Sequence, residues 1–251
     1  MRCEVHILAK NEEEILPYTL RHYATFCQKI VLHDAFSTDR TREIATSCGC
    51  EIRDWHDPDG KFDDRTAVAI KNTAWRGTTA DWVICADADE LIYFPSREPR
   101  IALAQYIERG IAVVKPHGFE LVSKAWPTTT GQIYDEVKMG ARDDKWYGKA
   151  ILFTPHLVKD IHFGMGAHET TATLRDGSHL PNPARWSTPA CYLLHCKHLG
   201  PIDRIARLYD EKRSRLCDNN VAHRYGNFEP GIKHALDKRN KILSNLERVI
   251  A

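Results

Sequence analysis

Glycine is absent from the start of this chain, where the first glycine is Gly49. The turn after the first predicted strand therefore cannot contain G-x-G-x-x-G, the loop that binds dinucleotides in Rossmann domains. The pattern G-x-x-x-x-G-K-[ST], which cradles phosphates in P-loop proteins, occurs nowhere in the 251 residues. Both common glycine-rich nucleotide loops are therefore excluded.

Common metal-binding motifs are also missing from the sequence. None of the eight cysteines forms a C-x-x-C pair, and a chain of this length can build a core without disulfides, so we expect reduced thiols. His168-Glu169 begins like the zinc motif H-E-x-x-H, but the position of the second histidine is Ala172. The loop at residues 57–60 resembles an EF-hand, but its twelfth position is Val68 instead of glutamate, which does not support calcium binding.

Charge and hydrophobicity exclude two further classes of protein. The formal net charge is +1, which gives no electrostatic basis for a nucleic-acid surface, and the basic stretch 204–215 is interleaved with acidic residues like a solvated helix face. No segment has the roughly 20 apolar residues that cross a bilayer. Arg2, Glu4 and His6 interrupt any signal-peptide core. We therefore expect a cytoplasmic protein with neither a nucleic-acid partner nor a transmembrane segment.

The first half of the chain alternates between strand and helix patterns. Asn11 and the stretch 37–39 supply capping side chains for two helices, and Gly49 ends the second of them. The order β-α-β-α-β-α-β favours a mostly parallel central sheet with flanking helices. The predicted strands are Cys3–Ala9, Lys29–Asp34, residues 50–53 and one that begins at Trp82, and a helix is predicted over 64–75.

The second half of the chain is less regular. Its predicted elements are strands at 111–121, 150–155 and 192–196, a polar, tryptophan-rich stretch at 124–149, and an extended linker at 181–189. Helices at 201–217 and 232–250 close the chain. The fold class we expect is therefore α/β with a C-terminal helical extension.

Two carboxylates end the fourth predicted strand. Asp87 and Asp89 follow an apolar run at 82–86, and they point to the same side because side chains alternate along a strand. Carboxylate oxygens suit Mg²⁺ or Mn²⁺, and ligands of open α/β sheets bind at this edge. The pair predicts a divalent-metal site that serves a phosphate-bearing ligand. The alternative is two solvated aspartates at the start of a turn.

Four short motifs occur in order over about the first 100 residues, and together they resemble a glycosyltransferase of family 2 with the GT-A fold. The resemblance extends loosely to about residue 215. It implies a GT-A-like catalytic domain over 1–200, with a nucleotide-sugar half (1–100) and an acceptor half (101–200), against which the helices of 201–251 pack. The motifs are Lys10-Asn11-Glu12 after the first strand, Asp34-x-x-Ser37-Thr38-Asp39-x-Thr41 after the second, a helix with Arg65 and Lys71-Asn72, and Asp81-Trp82-x-x-x-x-Asp87-Ala88-Asp89-Glu90.

The resemblance implies which residues bind the donor, a nucleoside-diphosphate sugar. Asn11 and Glu12 would line the nucleobase pocket. The alternative for both is helix capping, which for Glu12 is nearly as good an explanation. Asp34, with Ser37 and Asp39 near it, would accept hydrogen bonds from the base or the ribose.

The resemblance also implies contacts to the diphosphate and to a bound Mn²⁺ or Mg²⁺. Arg65 would reach the diphosphate, Asp87 would touch the ribose or a metal-bound water, and Asp89 would ligate the metal. His195 matches the place of a late histidine that completes the metal shell in such enzymes. A histidine on an apolar strand is more often a core residue, and His198 is left open as the ligand instead.

The family chemistry implied is a single displacement with inversion at the anomeric carbon. Such a step needs a base, a carboxylate within hydrogen-bond reach of the acceptor hydroxyl. Many relatives supply it from a Glu-Asp pair, and the second half of this chain has none. The candidate catalytic residues are Glu169, which follows the glycine-rich turn 164–166, and Asp144.

The acceptor is open: a glycan, a lipid-linked molecule or a small molecule. Arg185-Trp186 resembles part of the Q-x-x-R-W motif of processive synthases, but the glutamine position is Asn182 and no membrane span is present. We therefore expect a non-processive transferase. An aromatic cluster suits stacking against sugar rings, and its members are Trp126, Tyr134, Trp146 and Tyr147.

Two alternatives to a transferase remain at this point. A haloacid-dehalogenase-like phosphohydrolase also carries D-x-D at a strand end, but on its first strand and followed by Thr or Val where this chain has Leu91. The other alternative is a catalytically inactive domain that binds a nucleotide or zinc. A zinc site would use Cys191, His195, Cys196 and His198, whose spacing fits no common site.

Overall fold

The computed structural model describes residues 1–55, 60–95, 98–181, 191–223, 225 and 232–250. Most of the loop 57–60 and of the linker 181–189 lies outside these residues, as does the pair Arg185-Trp186 with Asn182. The elements in chain order are β1 (Cys3–Ala9), α1 (Leu16–Tyr23), β2 (Lys29–Asp34), α2 (Thr41–Ser47), β3 (Glu51–Asp54), α3 (Asp64–Thr73), β4 (Trp82–Asp87), β5 (Glu90–Tyr93), α4 (Pro99–Glu108), β6 (Val113–Val114), β7 (His117–Val122), α5 (Ile133–Glu136), β8 (Met139–Arg142), β9 (Leu152–Phe153), β10 (Val158–Phe163), a 3₁₀ helix (Met165–Ala167), β11 (Thr170–Leu174), β12 (His179–Leu180), β13 (Tyr192–His198), α6 (Ile202–Ser214), α7 (Asp218–Ala222), α8 (Ile232–Leu243) and β14 (Leu246–Arg248).

The first four strands form the parallel part of a six-stranded sheet, in the order β3-β2-β1-β4-β9-β6. Every residue of β1 is buried, and so are the first five of β4. Strands buried along their whole length are typical of a sheet that is covered on both faces, and β1 also buries Glu4 and His6. The carboxyl ends of β1 and β4 therefore meet at one edge of the sheet, which places Lys10 and Asp87 on the same side of the molecule.

The sheets are mixed, so the single, mostly parallel central sheet that we expected is not confirmed. β9 runs antiparallel to β4 and β6 runs antiparallel to β9. A second, five-stranded sheet has the order β14-β8-β7-β13-β5, and β10, β11 and β12 form an antiparallel third sheet. In the third sheet, short loops join β10 to β11 and β11 to β12, and strands joined in this way pair antiparallel because parallel neighbours need a long crossover.

Some predicted boundaries shift because of contacts between distant residues. α1 begins at Leu16 instead of near Asn11, since the carboxamide of Asn11 accepts the backbone N–H of Thr38 at 2.8 Å and does not cap its own helix. The helix predicted over 232–250 ends at Leu243, because the following segment pairs with β8 as strand β14. The stop at Gly49, where φ is +73°, is confirmed.

The five-stranded sheet brings charged residues together at its centre. In its register, His195 of β13 lies beside Glu120 of β7 on one side and Glu90 of β5 on the other. α8 covers one edge of this sheet, where Ile242 packs with Ala141 of β8 and Val122 of β7. No helix in the described part of the chain is long and apolar enough to span a membrane.

Candidate functional site

A cavity of about 640 Å³ opens where the two larger sheets meet. This volume suits a ligand of small-molecule or cofactor size. We call its two sides the α3 wall, which includes Leu8, Trp55, Phe62 and Ala67, and the α8 wall, which includes Ala141, Trp146, Lys238, Lys241 and Ile242. The floor between the walls carries Asp87, Asp89, Lys149 and His195.

Asp89 and His195 face each other on the floor of the cavity. Nε2 of His195 lies 3.6 Å from Oδ2 of Asp89, and Nδ1 of the same ring lies 2.7 Å from Oε2 of Glu120. Burial of His195 lowers its pKa, but the carboxylates of Asp89 and Glu120 outweigh burial, and the pKa is raised. The space between Asp89 and His195 therefore favours a positive charge, either a proton or a metal ion.

Glu120 is fully buried below His195. It also accepts the backbone N–H of His198 at 3.0 Å, and Nδ1 of His198 lies 3.2 Å from it. Burial raises the pKa of Glu120, yet the two histidines lower it by more, so the carboxylate is ionised. The other ring nitrogen of His198, Nε2, lies 2.9 Å from the hydroxyl of Tyr209, so both nitrogens of His198 already have neighbours and His195 is the histidine that faces Asp89.

The carboxylate of Asp87 lies between the ammonium groups of two lysines. Nζ of Lys71 lies 2.7 Å from its Oδ1, and Nζ of Lys149 lies 3.6 Å from its Oδ2. Lys149 is itself held by Glu90 at 2.6 Å. Burial raises the pKa of Asp87, but Lys71 and Lys149 outweigh it and the pKa is well below its usual range. The structure thus brings Asp89 and His195 together, and places the carboxylate of Asp87 against two lysines.

Further lysines line the cavity near these carboxylates. Lys212 of α6 lies 3.4 Å from Oε1 of Glu12, whose pKa is raised chiefly by burial. Lys197, on β13 after His195, has its pKa lowered to about 7 by burial and by the neighbouring charge of Lys212. Cationic side chains gathered around a pocket suit a ligand with several negative charges, such as a diphosphate.

The residues present fit a divalent ion with two protein ligands. Asp89 Oδ2 and His195 Nε2 are closer together (3.6 Å) than twice the usual metal–ligand distance of about 2.1 Å, so one ion can contact both. Within the described residues no three His, Cys, Asp or Glu side chains converge into a complete metal site.

The predicted nucleobase residues form one hydrogen-bonded turn at the carboxyl ends of β1 and β2. Asp34 accepts the hydroxyl of Ser37 at 2.6 Å, and Ser37 in turn accepts the backbone N–H of Asn11 at 2.9 Å. Asp39 accepts the backbone N–H of Glu13 at 3.0 Å. Of the five residues predicted for the base and ribose, Glu12 lines the cavity, whereas Asn11, Asp34, Ser37 and Asp39 are not in its lining.

Arg65 lies away from the cavity floor. Its guanidinium binds the carboxylate of Asp63 at 2.5 Å, and its side chain is 60% exposed. Lys71, two turns further along α3, occupies the position beside Asp87 instead. Asp64, between Arg65 and the N-cap Asp63, does line the cavity, and burial and the charge of Asp87 raise its pKa to about 6.

Neither candidate base is among the residues that line the cavity. Glu169 is exposed and Asp144 is half-buried, and each follows a residue that lines the cavity, His168 and Asp143 respectively. Asp144 accepts the guanidinium of Arg142 at 2.7 Å and the backbone N–H of Gly118 at 2.9 Å. Burial raises the pKa of Asp144, but these two donors lower it by more.

The predicted aromatic cluster divides into two parts. Trp146 and Tyr147 line the cavity, and the Tyr147 ring lies 5.1 Å from that of His195. Trp126 stacks under the guanidinium of Arg204, and Tyr134 packs edge-on to His22. Only the first two therefore can meet a ligand in this cavity.

Sequence reasoning missed Glu120 and five of the cavity lysines, among them the three near the aspartates and the two of α8. Glu120 had a weak signal, an acidic residue inside an apolar strand, which also fits a strand with one solvated face. Lys149, Lys197 and Lys212 had no local signal, because their positions around Asp87 and Asp89 depend on how distant elements pack.

Comparisons with known proteins give partial likenesses. No family model matches the chain. A TPR repeat-containing protein of Synechococcus elongatus is 31% identical over 86 residues, which is 34% of this chain and 19% of that protein. A solved structure of glucosyl-3-phosphoglycerate synthase from Mycobacterium tuberculosis with Mn²⁺, UDP-glucose and phosphoglyceric acid is 20% identical, with a TM-score of 0.32 over 48% of this chain and 44% of that one. S. aureus TarS in complex with UDP is 15% identical, with a TM-score of 0.38 over 61% of this chain and 47% of that one. The chain thus spans about a fifth of the curated relative and less than half of each solved protein.

Proposed function

We propose that this protein is a metal-dependent glycosyltransferase with a GT-A-like fold, which moves a sugar from a nucleoside-diphosphate sugar to an acceptor hydroxyl. The observation that carries the proposal is the pair Asp89 and His195, 3.6 Å apart on the floor of a cavity that several lysines also line. The same lining suits a diphosphate and a divalent ion together. Residues 1–200 form the proposed catalytic domain, and the helices of 201–251 complete it.

The donor would lie along the α3 wall. Trp55 and Phe62 form an apolar, aromatic surface there, with ring centroids 6.1 Å apart, and they suit the flat face of a nucleobase. Glu12 lies at the same end, supported by the turn of Asn11, Asp34, Ser37 and Asp39. The ribose would then reach Asp87 and Asp64, and the diphosphate would reach the floor.

The floor of the cavity would stabilise the leaving group. Lys71 and Lys149 hold Asp87 in place and, with Lys212, offset the charge of the diphosphate. Asp89 and His195 would hold the metal ion, Mn²⁺ or Mg²⁺. When bound, such an ion acts as a Lewis acid on the departing nucleoside diphosphate.

The reaction we propose is inverting and non-processive. Its base would be Glu169 or Asp144, because each lies next to a residue that lines the cavity and each carries a carboxylate that can accept the hydroxyl proton. Glu169→Gln and Asp144→Asn keep the shape of each side chain and remove the basicity. The variant of the true base is expected to lower kcat by a factor of about 10² or more with KM for the donor little changed.

The test of the proposal is release of nucleoside diphosphate from UDP-glucose, GDP-mannose and dTDP-glucose with Mn²⁺ present, on the wild type and on Asp89→Asn. We expect slow hydrolysis of one donor class by the wild type and none by the variant, since water can replace the acceptor in many transferases. Release of phosphate from p-nitrophenyl phosphate, without any cleavage of a sugar donor, would favour the phosphohydrolase instead.

A further inference from the structure

The α8 wall of the cavity is basic, because two lysines of α8 belong to its lining. Ile242 fixes α8 to β8 and β7 through its contacts with Ala141 and Val122. Lys238 and Lys241 precede Ile242 by four residues and one residue, and both line the cavity. The strand β14 continues this attachment, because Leu246 pairs with Ala141.

Lys238 and Lys241 differ from the lysines on the floor. Those lysines have carboxylate partners: Lys71 binds Asp87 and Lys149 binds Glu90. Across the described residues, neither lysine of the α8 wall has an ion pair. Asp143, an acidic residue of the lining, uses Oδ1 to accept the backbone N–H groups of residues 145 and 146, each at 3.2 Å. The α8 wall therefore presents two uncompensated cations to a ligand.

An exposed aromatic ring lines the same cavity as these cations. Trp146 is 48% exposed, although it lines the cavity. The rings of His168 and Trp146 pack edge-on, with their centroids 5.1 Å apart and an interplanar angle of 86°. The backbone N–H of Trp146 is fixed by Asp143, and an oriented, exposed aromatic ring is the surface on which a sugar ring stacks.

We propose that the acceptor is an anionic sugar whose ring stacks on Trp146 and whose phosphate or carboxylate group binds Lys238 and Lys241. This inference rests on the proposed function, since it names the acceptor of that transfer. An acceptor hydroxyl oxygen forms the new bond to the anomeric carbon of the donor sugar. The bond from that carbon to the diphosphate oxygen breaks, its electron pair leaves with the nucleoside diphosphate, and the hydroxyl proton passes to the carboxylate base.

The experiment compares three acceptor probes by ligand-observed NMR titration: glucose, glucose 6-phosphate and glucuronic acid. The wild type is expected to bind the two anionic probes about tenfold more tightly than glucose, because a charge-assisted contact contributes about that factor. The double variant Lys238→Gln/Lys241→Gln is expected to remove the preference. Trp146→Ala is expected to weaken binding of all three probes.

The matched control is Lys233→Gln, which removes the same charge from an exposed position of α8 outside the cavity lining. It should keep the preference for the anionic probes. Equal binding of glucose and glucose 6-phosphate by the wild type, or an unchanged preference in the double variant, would overturn the inference.

Two further measurements complete the experiment. Nucleotide binding, titrated on the same proteins, separates the two proposals: bound nucleotide without an anion preference refutes only the acceptor, whereas no nucleotide binding refutes the transferase. Dodecyl phosphate in neutral detergent micelles distinguishes the source of the anion. If it displaces glucose 6-phosphate, the acceptor is lipid-linked, and if it does not, the acceptor is a soluble sugar acid or sugar phosphate.

Discussion

Nδ1 of His195 donates a hydrogen bond to Oε2 of Glu120 across 2.7 Å in the interior of the five-stranded sheet. The direction is set by Glu120, because an ionised carboxylate can only accept. The two residues lie side by side in the parallel register of β13 and β7. The pair therefore fixes the ring and leaves Nε2 directed to Asp89, the arrangement in which a histidine that binds metal is held by a carboxylate.

Glu120→Gln is expected to weaken Mn²⁺ binding by a factor of about 10 to 100, because the carboxylate orients His195 and raises its basicity. Electron paramagnetic resonance of free Mn²⁺ measures this affinity without any turnover. The matched control is Glu4→Gln, which alters another buried contact between a glutamate and a histidine, 3.1 Å from His6 and remote from the cavity. Equal loss of affinity in both variants would contradict a specific role for Glu120.

Lys71→Met is expected to lower the affinity for a nucleoside diphosphate more than Arg65→Met does. Lys71 lies 2.7 Å from Asp87 on the cavity floor, whereas Arg65 is largely exposed and bound to Asp63. The loss for Lys71 should be about tenfold, the usual size of one charge-assisted contact. Isothermal titration of both variants measures the difference, and a larger loss for Arg65→Met would restore the role that the sequence pattern gave it.

Gly118→Ala is expected to displace the turn that carries Trp146 and Tyr147. A Cβ at Gly118 would lie 2.1 Å from the backbone nitrogen of Gly148 and 2.2 Å from the carbonyl carbon of Tyr147, so the turn must move away from β7. The expected cost is about 2 kcal/mol or more of unfolding free energy, together with weaker binding of sugar probes.

The contrasting variant for this prediction is Gly110→Ala. Gly110 has a φ of +67° but open space around its Cβ position. Its substitution should cost about 1 kcal/mol by backbone strain alone and leave sugar binding unchanged. Chemical denaturation of both variants, with the sugar titration, tests the contrast. Equal effects on binding would show that the close approach at Gly118 does not position the turn.

Acid is expected to destabilise the protein between about pH 6.5 and pH 4, because two buried histidines, His22 and His33, stay neutral in the folded state over most of this range. Burial lowers the pKa of His22 to about 4, and burial with the charge of His6 lowers that of His33 to about 3. The unfolded chain binds protons at these residues from about pH 6.5 downward. It therefore holds more protons than the folded state in this range, and stability rises with pH there.

Urea denaturation at pH 7 and pH 5 measures the effect, which is about 2 kcal/mol for each such histidine. His22→Gln is expected to lower stability at pH 7, because Nε2 of His22 contacts the carbonyl oxygen of Ile92 at 2.8 Å. It should also reduce the change in stability between pH 7 and pH 5 by the contribution of one histidine. A pH dependence identical to that of the wild type would contradict this assignment.

Local patterns predicted the first strands well and the second half poorly, for a physical reason. β1 and β2 match their predicted bounds because they are short segments, rich in apolar residues, between clear turn signals. The apolar residues after Leu243 keep a helical spacing, so the sequence alone favours a longer helix than the one present. This segment forms a strand because β14 pairs with β8, a contact between residues about a hundred positions apart in the sequence.

The candidate site divides in the same way between local and distant information. Asp87 and Asp89 are recognisable because a strand end and its two carboxylates are adjacent in the sequence. That Asp89 meets His195 while Asp87 meets Lys71 and Lys149 follows from strand register and helix packing, which no local pattern contains. The prediction that both aspartates serve one metal ion stays a prediction for Asp87 and for Asp89.

The most direct test of the central claim is calorimetric titration of UDP, GDP and dTDP, with and without Mn²⁺, into the wild type and Asp89→Ala. Circular dichroism of the variant confirms that it is folded. The account predicts that one nucleotide binds the wild type only in the presence of Mn²⁺ and that Asp89→Ala loses this binding. Failure of every nucleotide to bind the wild type under either condition would contradict it.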